Sequence, residues 1–206
     1  MQPFTTLTAV AVPIDLPNVD TDRIIPARFL RRSQGPGFER FLFHDVRFDD
    51  AGAERPEFVL NQSPYRRARI LVAAENFACG SSREAAVWAL MAYGFRAFIA
   101  PSFGDIFAQN CGKNGALAVV LPAETAARLR RQLHERPGAE ITVDLEAQTV
   151  TGPDGAADRF EVDAFVKECV LRGQDEIALT LSYGATIAAF EARHRQEMPW
   201  LEVRER

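Results

Sequence analysis

Cysteine is scarce in this sequence, with only three residues among 206. An odd number of cysteines at long spacings excludes a secreted disulfide framework and argues against a self-contained zinc or iron–sulfur site. Histidine is equally scarce, and none of its positions has the spacing of a metal site. We therefore expect free thiols in a reducing compartment and no metal ion bound by this chain. The residues concerned are Cys79, Cys111, Cys169, His44, His134 and His194.

Long hydrophobic runs and an excess of basic residues are also absent. The longest apolar runs, such as Ala85 to Ala92, fall far short of the roughly 20 residues that a membrane-spanning helix needs. The N-terminus lacks the features of a signal peptide. The sequence has 24 Lys and Arg against 28 Asp and Glu, a net charge of −4, which gives no electrostatic basis for binding nucleic acid. We expect a cytoplasmic chain with neither a membrane nor a nucleic acid as partner.

The order of hydrophobic segments predicts an α/β fold. A strand at Ala68 to Ala73, a helix at Ser82 to Tyr93 ending at Gly94, and a strand at Ala97 to Ala100 form a βαβ unit. The same order continues with a helix at Ser102 to Asn110 and a strand at Ala116 to Leu121. No internal repeat is visible, so we expect residues 1–206 to form a single domain.

Outside this central unit, shorter sequence patterns predict further helices, loops and strands. An amphipathic helix follows Pro122, with its arginines on a solvated face, and two helices form a C-terminal appendage over about residues 164–196. A loop is expected at Asn18 to Asp22, and a mobile excursion without regular structure at Arg31 to Gly37. Short strands are predicted at Thr5 to Val12, Phe58 to Leu60, Glu140 to Leu145, Thr149 to Thr151 and Arg159 to Val162, and the appended helices at Ala164 to Leu171 and Ala185 to Arg195.

The strongest functional signal is the segment Glu75 to Glu84, between a buried strand and the start of a buried helix. Open α/β sheets bind ligands at this edge, and free backbone N–H groups there favour an anion. Ser81, Ser82 and Arg83 add two hydroxyl groups and a guanidinium, which suit a carboxylate. The alternative is that Ser81 and Glu84 form a capping box, which explains their spacing without any ligand.

Three other features have ordinary structural explanations. Cys79 lies near a helix N-terminus but no histidine follows it nearby in the sequence, so we interpret it as a structural residue. The acidic residues of Asn18 to Arg23 could bind a cation or orient a catalytic group, but hydrogen bonds to their own backbone in a turn are the simpler explanation, which we favour. Asn110 to Gly115 resembles a phosphate-binding loop only in composition, and we expect it to terminate a helix.

Four segments, in this order and spacing, resemble the 3-isopropylmalate dehydratase small subunits of the aconitase superfamily. They are Asn18 to Leu30 (NVDTDRIIPARFL), Glu75 to Glu84 (ENFACGSSRE), Ala100 to Phe107 (APSFGDIF) and Gly173 to Leu181 (GQDEIALTL). The resemblance implies a swivelling β/β/α domain, as in the aconitase C-terminal domain. It also implies that the 4Fe-4S cluster and its cysteines belong to a separate large subunit.

The resemblance further implies roles for individual residues. Ser81 is expected to be the catalytic base, while Ser82 and Arg83 hold carboxylate groups of the substrate. Asp22 lies at the active site by the same resemblance, and we predict that it is catalytic. A serine hydroxyl is a very weak acid, so a helix N-terminus and nearby cations must stabilise its alkoxide. Thr21, next to Asp22, and Arg32, in the loop before Phe38, are additional candidates for substrate contact.

The reaction implied is the isomerisation of 2-isopropylmalate, a small hydroxy-dicarboxylate, to 3-isopropylmalate in leucine biosynthesis. Water is removed and added back, with cluster iron acting as a Lewis acid on the hydroxyl and Ser81 removing a proton from the neighbouring carbon. The chain departs from the family pattern at Ala85, usually His, and at Gly35-Pro36-Gly37, usually Arg-Thr-Gly. Two alternatives therefore stay open: a paralogous subunit acting on citramalate or a dimethylmalate, and a non-catalytic anion-binding or regulatory module.

Overall fold

A seven-stranded mixed sheet forms the centre of the protein, in a computed structural model that describes residues 1–201. The strands are β1 Thr6–Ile14, β2 Ile70–Ala73, β3 Ala97–Ala100, β4 Leu117–Val120, β5 Glu140–Asp144, β6 Thr149–Thr151 and β7 Ala157–Arg159. The strand order is β4-β3-β2-β1-β5-β6-β7, with β1 to β4 parallel and β5 to β7 antiparallel. The long strand β1 joins the two halves, because its first part pairs with β5 and its last part pairs with β2.

Helices cover both faces of the parallel half of the sheet. On one face, Leu71 and Phe98 of the sheet belong to a buried cluster with Leu90. On the other face, Ile70 and Val72 belong to a cluster with Leu129. This alternation follows from the two-residue period of a strand, and it confirms the predicted α/β class. The helices are α1 Thr21–Ile24, α2 His44–Arg47, α3 Glu84–Tyr93, α4 Asp105–Asn114, α5 Ala123–Glu135, α6 Ala164–Arg172, α7 Glu176–Ser182 and α8 Gly184–Glu197.

The parallel arrangement gathers three connecting segments at one edge of the sheet. The segment after β1 meets the segment after β2 at an isolated bridge between Asp20 and Cys79. The segment after β2 meets the segment after β3 at a second bridge, between Phe77 and Phe103. Thr21 and Asp22 lie on the first of these segments and residues 81–83 lie on the second, so the topology brings them together.

Several predicted boundaries are wrong in detail. The predicted strand at Phe58 to Leu60 is instead part of a 3-10 turn, Val59–Asn61, because the Asn61 side chain donates to the carbonyls of Arg47 and Arg55 and closes the chain on itself. The predicted strand at Arg159 to Val162 lies earlier, at Ala157–Arg159, where it pairs with β6.

Two predicted loops also contain helix. Asp20 accepts a hydrogen bond from the Arg23 N–H at 2.7 Å and starts the single turn α1 inside the expected loop at Asn18 to Asp22. Helix α4 extends through most of the expected loop at Asn110 to Gly115, and Gly115 ends it with a φ of 79°. No regular element covers residues 31–37, as predicted.

Two arginines of α5, Arg128 and Arg130, are held in ion pairs, which corrects the prediction of a solvated face for them, whereas Arg131 is exposed as predicted. Arg130 donates to the Asp15 carboxylate at 3.0 Å and to the Ala73 carbonyl at 2.8 Å. Arg128 forms an ion pair with Asp158 at 2.5 Å. These arginines fasten α5 to the ends of neighbouring strands, so they hold structure instead of facing water.

The C-terminal helices were predicted in part. Helices α6 and α8 confirm the two expected elements, whereas α7 was missed. Val170 of α6 is buried in the core, but α7 and α8 bury no side chain. The large apolar side chains more than half exposed over this region are Phe165, Ile177, Leu181, Tyr183, Phe190 and Trp200. None of the helices within residues 1–201 has the length and apolarity to cross a membrane.

Candidate active site

Ser81, Ser82 and Arg83 immediately precede helix α3. The helix begins at Glu84, and Arg83 before it is extended, with a φ of −128° and no side-chain cap. Ser81 is therefore too far from the helix to cap it, and the Glu84 carboxylate accepts from the Asn114 side chain at 2.8 Å. The alternative explanation, a capping box formed by Ser81 and Glu84, is therefore wrong. Ser81 and Ser82 are exposed, and within residues 1–201 neither hydroxyl has a hydrogen-bond partner.

Backbone hydrogen bonds hold the turn of residues 74–83 on one side. The Cys79 N–H donates to the Val19 carbonyl at 3.3 Å, and the Thr21 N–H donates to the Cys79 carbonyl at 3.0 Å. The turn reverses through left-handed backbone at Ala78 and Gly80, with φ values of 58° and 86°. This conformation costs glycine little, which explains Gly80 directly before the two serines.

The segment after β3 supports the turn from the other side. The Ser102 hydroxyl accepts from the Asn76 N–H at 2.9 Å. At Gly104, an added Cβ would lie 2.4 Å from the Ala78 carbonyl oxygen, so only glycine fits there. Residue types and spacing predicted neither support, although Gly104 lies in the segment APSFGDIF, which is part of the family resemblance.

Thr21 lies beneath the serines. The residue is only 2% exposed, and its hydroxyl donates to the Ser81 carbonyl at 3.0 Å. The Thr21 hydroxyl therefore already donates its hydrogen within the protein. The structure brings Thr21 to the site through the Ser81 backbone.

Asp22 and Arg83 form a close ion pair across the site. The Arg83 Nη1 donates to Oδ1 of Asp22, and the two residues are 61 positions apart in the sequence. The guanidinium holds the pKa of the Asp22 carboxyl below its ordinary value, chiefly through this hydrogen bond, while partial burial opposes the shift. Arg83 is mostly covered, at 17% exposure, whereas Asp22 is 54% exposed. The remaining N–H groups of Arg83 can still bind a carboxylate.

Arg32 lies on a different part of the surface. It lines an open cavity of about 490 Å³ together with Arg40, Phe41 and His44. Within the described residues, no hydrogen bond or ion pair joins Arg32 to Asp22 or to Arg83. The structure thus brings five of the predicted residues together at one edge of the sheet, namely Thr21, Asp22, Ser81, Ser82 and Arg83. Arg32 lies in the neighbouring loop of residues 31–37.

The cysteines do not form a cluster site. Cys79 is half-buried in the turn, Cys111 is fully buried in α4, and Cys169 lies in α6. Burial raises the pKa of the Cys111 thiol well above its ordinary value, which disfavours the thiolate that iron would require. Over residues 1–201, no three His, Cys, Asp or Glu side chains come together as a metal site. The residues of this chain do not fit a 4Fe-4S cluster.

Three models of known families match successive parts of the sequence. Residues 1–124 match the family model of the aconitase C-terminal domain. Residues 127–164 match the LeuD_N model, and residues 176–203 match the C-terminal domain of the 3-isopropylmalate dehydratase small subunit. The chain therefore carries the aconitase-type swivel domain that the resemblance implied.

Individual relatives cover almost the entire chain. A 3-isopropylmalate dehydratase small subunit of Rhodospirillum centenum is 54% identical, over 97% of this chain and 98% of that protein. One of Jannaschia sp. is 53% identical, over 98% and 100%. The chain belongs to the family of 3-isopropylmalate dehydratase small subunits, and it is a subunit of an aconitase-family hydro-lyase of leucine biosynthesis.

A solved structure agrees with this fold. The crystal structure of 3-isopropylmalate dehydratase (leuD) from Methanocaldococcus jannaschii superimposes with a TM-score of 0.63, at 24% sequence identity. The match covers 90% of this chain and 99% of that one. The predicted fold class is confirmed, and family membership favours an enzyme subunit over a non-catalytic module.

Proposed function

We propose that this chain supplies the base and the carboxylate-binding half of an active site that isomerises 2-isopropylmalate to 3-isopropylmalate. The observation that carries the proposal is the pair of exposed hydroxyl groups at Ser81 and Ser82, beside an arginine already oriented by Asp22. A capping role no longer accounts for these serines. The family supports the substrate, because relatives matched over nearly their full length are named for this dehydratase.

Ser81 is the proposed base. In the dehydration step its oxygen takes a proton from the carbon next to the one that carries the hydroxyl group. The electrons of the broken C–H bond form the double bond as that hydroxyl group departs, and the reverse steps add water at the other carbon. The N–H groups of residues 80–83 have no partner within the described residues, and with the N-terminus of α3 they favour a negative Ser81 oxygen.

Arg83 and Ser82 are the proposed carboxylate ligands. A guanidinium presents a planar fork of donors that matches a carboxylate, and the Ser82 hydroxyl can donate beside it. Asp22 acts through Arg83, since its carboxylate occupies one end of the fork and fixes the direction of the rest. Arg32 remains a further candidate for substrate contact, because it lies in the loop of residues 31–37 that we expect to approach the substrate.

The proposal requires a second chain. The relatives are named small subunits, which implies a large subunit as partner. Since the cysteines here do not fit a 4Fe-4S cluster, we place the cluster that the family implies on that partner. When bound there, the cluster supplies a Lewis acid. The cysteines of this chain are free, which supports a reducing, cytoplasmic location.

Anaerobic reconstitution with the large subunit tests the function. The assay compares 2-isopropylmalate, citramalate and 2,3-dimethylmalate, for this chain alone and for the complex. We expect no turnover by the chain alone, and the highest kcat/KM of the complex for 2-isopropylmalate. A higher kcat/KM for citramalate or dimethylmalate would identify a paralogue. Carboxylate binding by the chain alone, with no turnover by the complex, would identify a binding module instead.

A further inference from the structure

We propose that Thr21 is a positioning residue that fixes the backbone of Ser81 and thereby aims the Ser81 hydroxyl at the substrate. This inference rests on the proposed function, which makes Ser81 the base. The evidence is one side-chain hydrogen bond, from the Thr21 hydroxyl to the Ser81 carbonyl at 3.0 Å, made by a residue that is 2% exposed.

The bond matters because Ser81 has no other. Within residues 1–201, neither the N–H nor the hydroxyl of Ser81 is hydrogen-bonded, so its carbonyl is its single attachment. The adjoining Gly80 has a left-handed φ of 86° and carries no side chain to pack. Removing the Thr21 hydroxyl would therefore leave Ser81, in the turn of residues 74–83, free to rotate about the backbone of Gly80.

Thr21 holds the turn on both sides of Gly80. Its N–H donates to the Cys79 carbonyl at 3.0 Å, and its hydroxyl donates to the Ser81 carbonyl at the same distance. The backbone bond survives any substitution other than proline, whereas the second bond depends on the side chain. A substitution at Thr21 should thus release Ser81 while Cys79 stays in place.

The hydroxyl has no other structural task. Helix α1 is capped by Asp20, whose side chain accepts from the Arg23 N–H at 2.7 Å, so the helix does not need a hydroxyl at Thr21. Arg83 is anchored separately by Asp22. We therefore expect loss of the hydroxyl to affect the proton transfer, which depends on Ser81, much more than carboxylate binding, which depends on Arg83.

The test compares Thr21→Val, which replaces the hydroxyl by a methyl group of similar shape, with Thr21→Ser, which keeps it. Both are measured in the complex reconstituted with the large subunit. Because a displacement of about 1 Å can cost about 100-fold in rate, we expect kcat to fall about 10- to 100-fold in Thr21→Val, with KM nearly unchanged. Thr21→Ser should restore most of kcat.

Thr180→Val is the matched control, because the Thr180 hydroxyl also donates to a backbone carbonyl, that of Glu176 at 2.8 Å, but in α7. Its kcat should equal that of the wild type. Wild-type kcat in Thr21→Val would overturn the inference, and so would equal losses in Thr21→Val and Thr21→Ser, which would indicate packing alone. Ser81→Ala separates the two claims: full turnover there refutes the base assignment, whereas an inactive Ser81→Ala beside a fully active Thr21→Val refutes only the role of Thr21.

Discussion

Gly104→Ala should damage the active site without touching any residue that binds substrate. Gly104 has a φ of −60° and a ψ of 130°, which alanine adopts without strain. Any effect of the substitution must therefore come from the space that the new methyl group takes. That space is occupied by the turn that carries Ser81.

The geometry gives the size of the effect. The new Cβ would lie 2.4 Å from the Ala78 carbonyl oxygen and 3.3 Å from the Cys79 Cα, where ordinary contacts begin at 3.4 Å. The Ala78 carbonyl must therefore move by about 1 Å, and this movement must be made by the backbone. Hydrogen bonds that tie Phe77 to Ser102 and Gly104, at 3.1 and 3.0 Å, resist this shift.

We expect two measurable consequences. Overpacking of this kind costs about 1–3 kcal/mol, which urea denaturation of the chain would detect. A movement of about 1 Å in the turn would lower kcat/KM of the reconstituted complex by about 100-fold. Gly184→Ala is the matched control, because nothing lies within 4 Å of its Cβ position and its φ is not left-handed. If Gly104→Ala and Gly184→Ala behave alike in both assays, the proposed support of the turn is refuted.

Three further predictions concern the substrate-binding residues. Arg83→Lys should raise KM at least about 10-fold in steady-state kinetics, because a point charge cannot replace the fork that binds Asp22 and a carboxylate together; an unchanged KM would mean that Arg83 does not bind substrate. Arg83 lowers the pKa of Asp22, so the ionised Asp22 stabilises the fold above its unfolded pKa of about 3.9, and this stabilisation is lost as the pH falls through the lower folded value. The free energy of unfolding of Asp22→Asn, relative to wild type, should therefore be lower at pH 7 than at pH 3, and a pH-independent difference would contradict this. We expect the loop of residues 31–37 to select the side group of the substrate, so Gly35→Arg should change the kcat/KM ratio of 2-isopropylmalate to citramalate. Nothing lies within 4 Å of the Gly35 Cβ position, so the new side chain has space, although the φ of 158° strains it; equal changes for both substrates would show that this loop does not select the side group.

The central α/β unit was predictable because its signals are local. Residues 70–73 and 97–100 are short apolar runs, and Gly94 ends the helix between them. The strand at Phe58 to Leu60 failed as a prediction because an apolar run can be buried by a turn as well as by a sheet. The hydrogen bonds from the Asn61 side chain to the carbonyls of Arg47 and Arg55 favour the turn here. The spacing of residues in the sequence does not reveal these bonds.

The residue types of the active site were predictable, but their arrangement was not. Two serines and an arginine before a helix indicated an anion site, yet the same spacing wrongly suggested a capping box. The pairing of Asp22 with Arg83 and the bond from Thr21 to Ser81 join residues about 60 positions apart. Such contacts follow from the parallel order of β1 and β2, which places both connecting segments at one edge.

The most direct test of the account is the kcat of Ser81→Ala in the complex with the large subunit. The Ser81 side chain is exposed and caps no helix, so the variant should fold, with a free energy of unfolding within about 0.5 kcal/mol of the wild type, and should assemble normally. Loss of a general base predicts a kcat at least about 100-fold below wild type, whereas Ser82→Ala should mainly raise KM. A normally assembled Ser81→Ala complex with a kcat close to wild type would contradict the claim that Ser81 removes the proton.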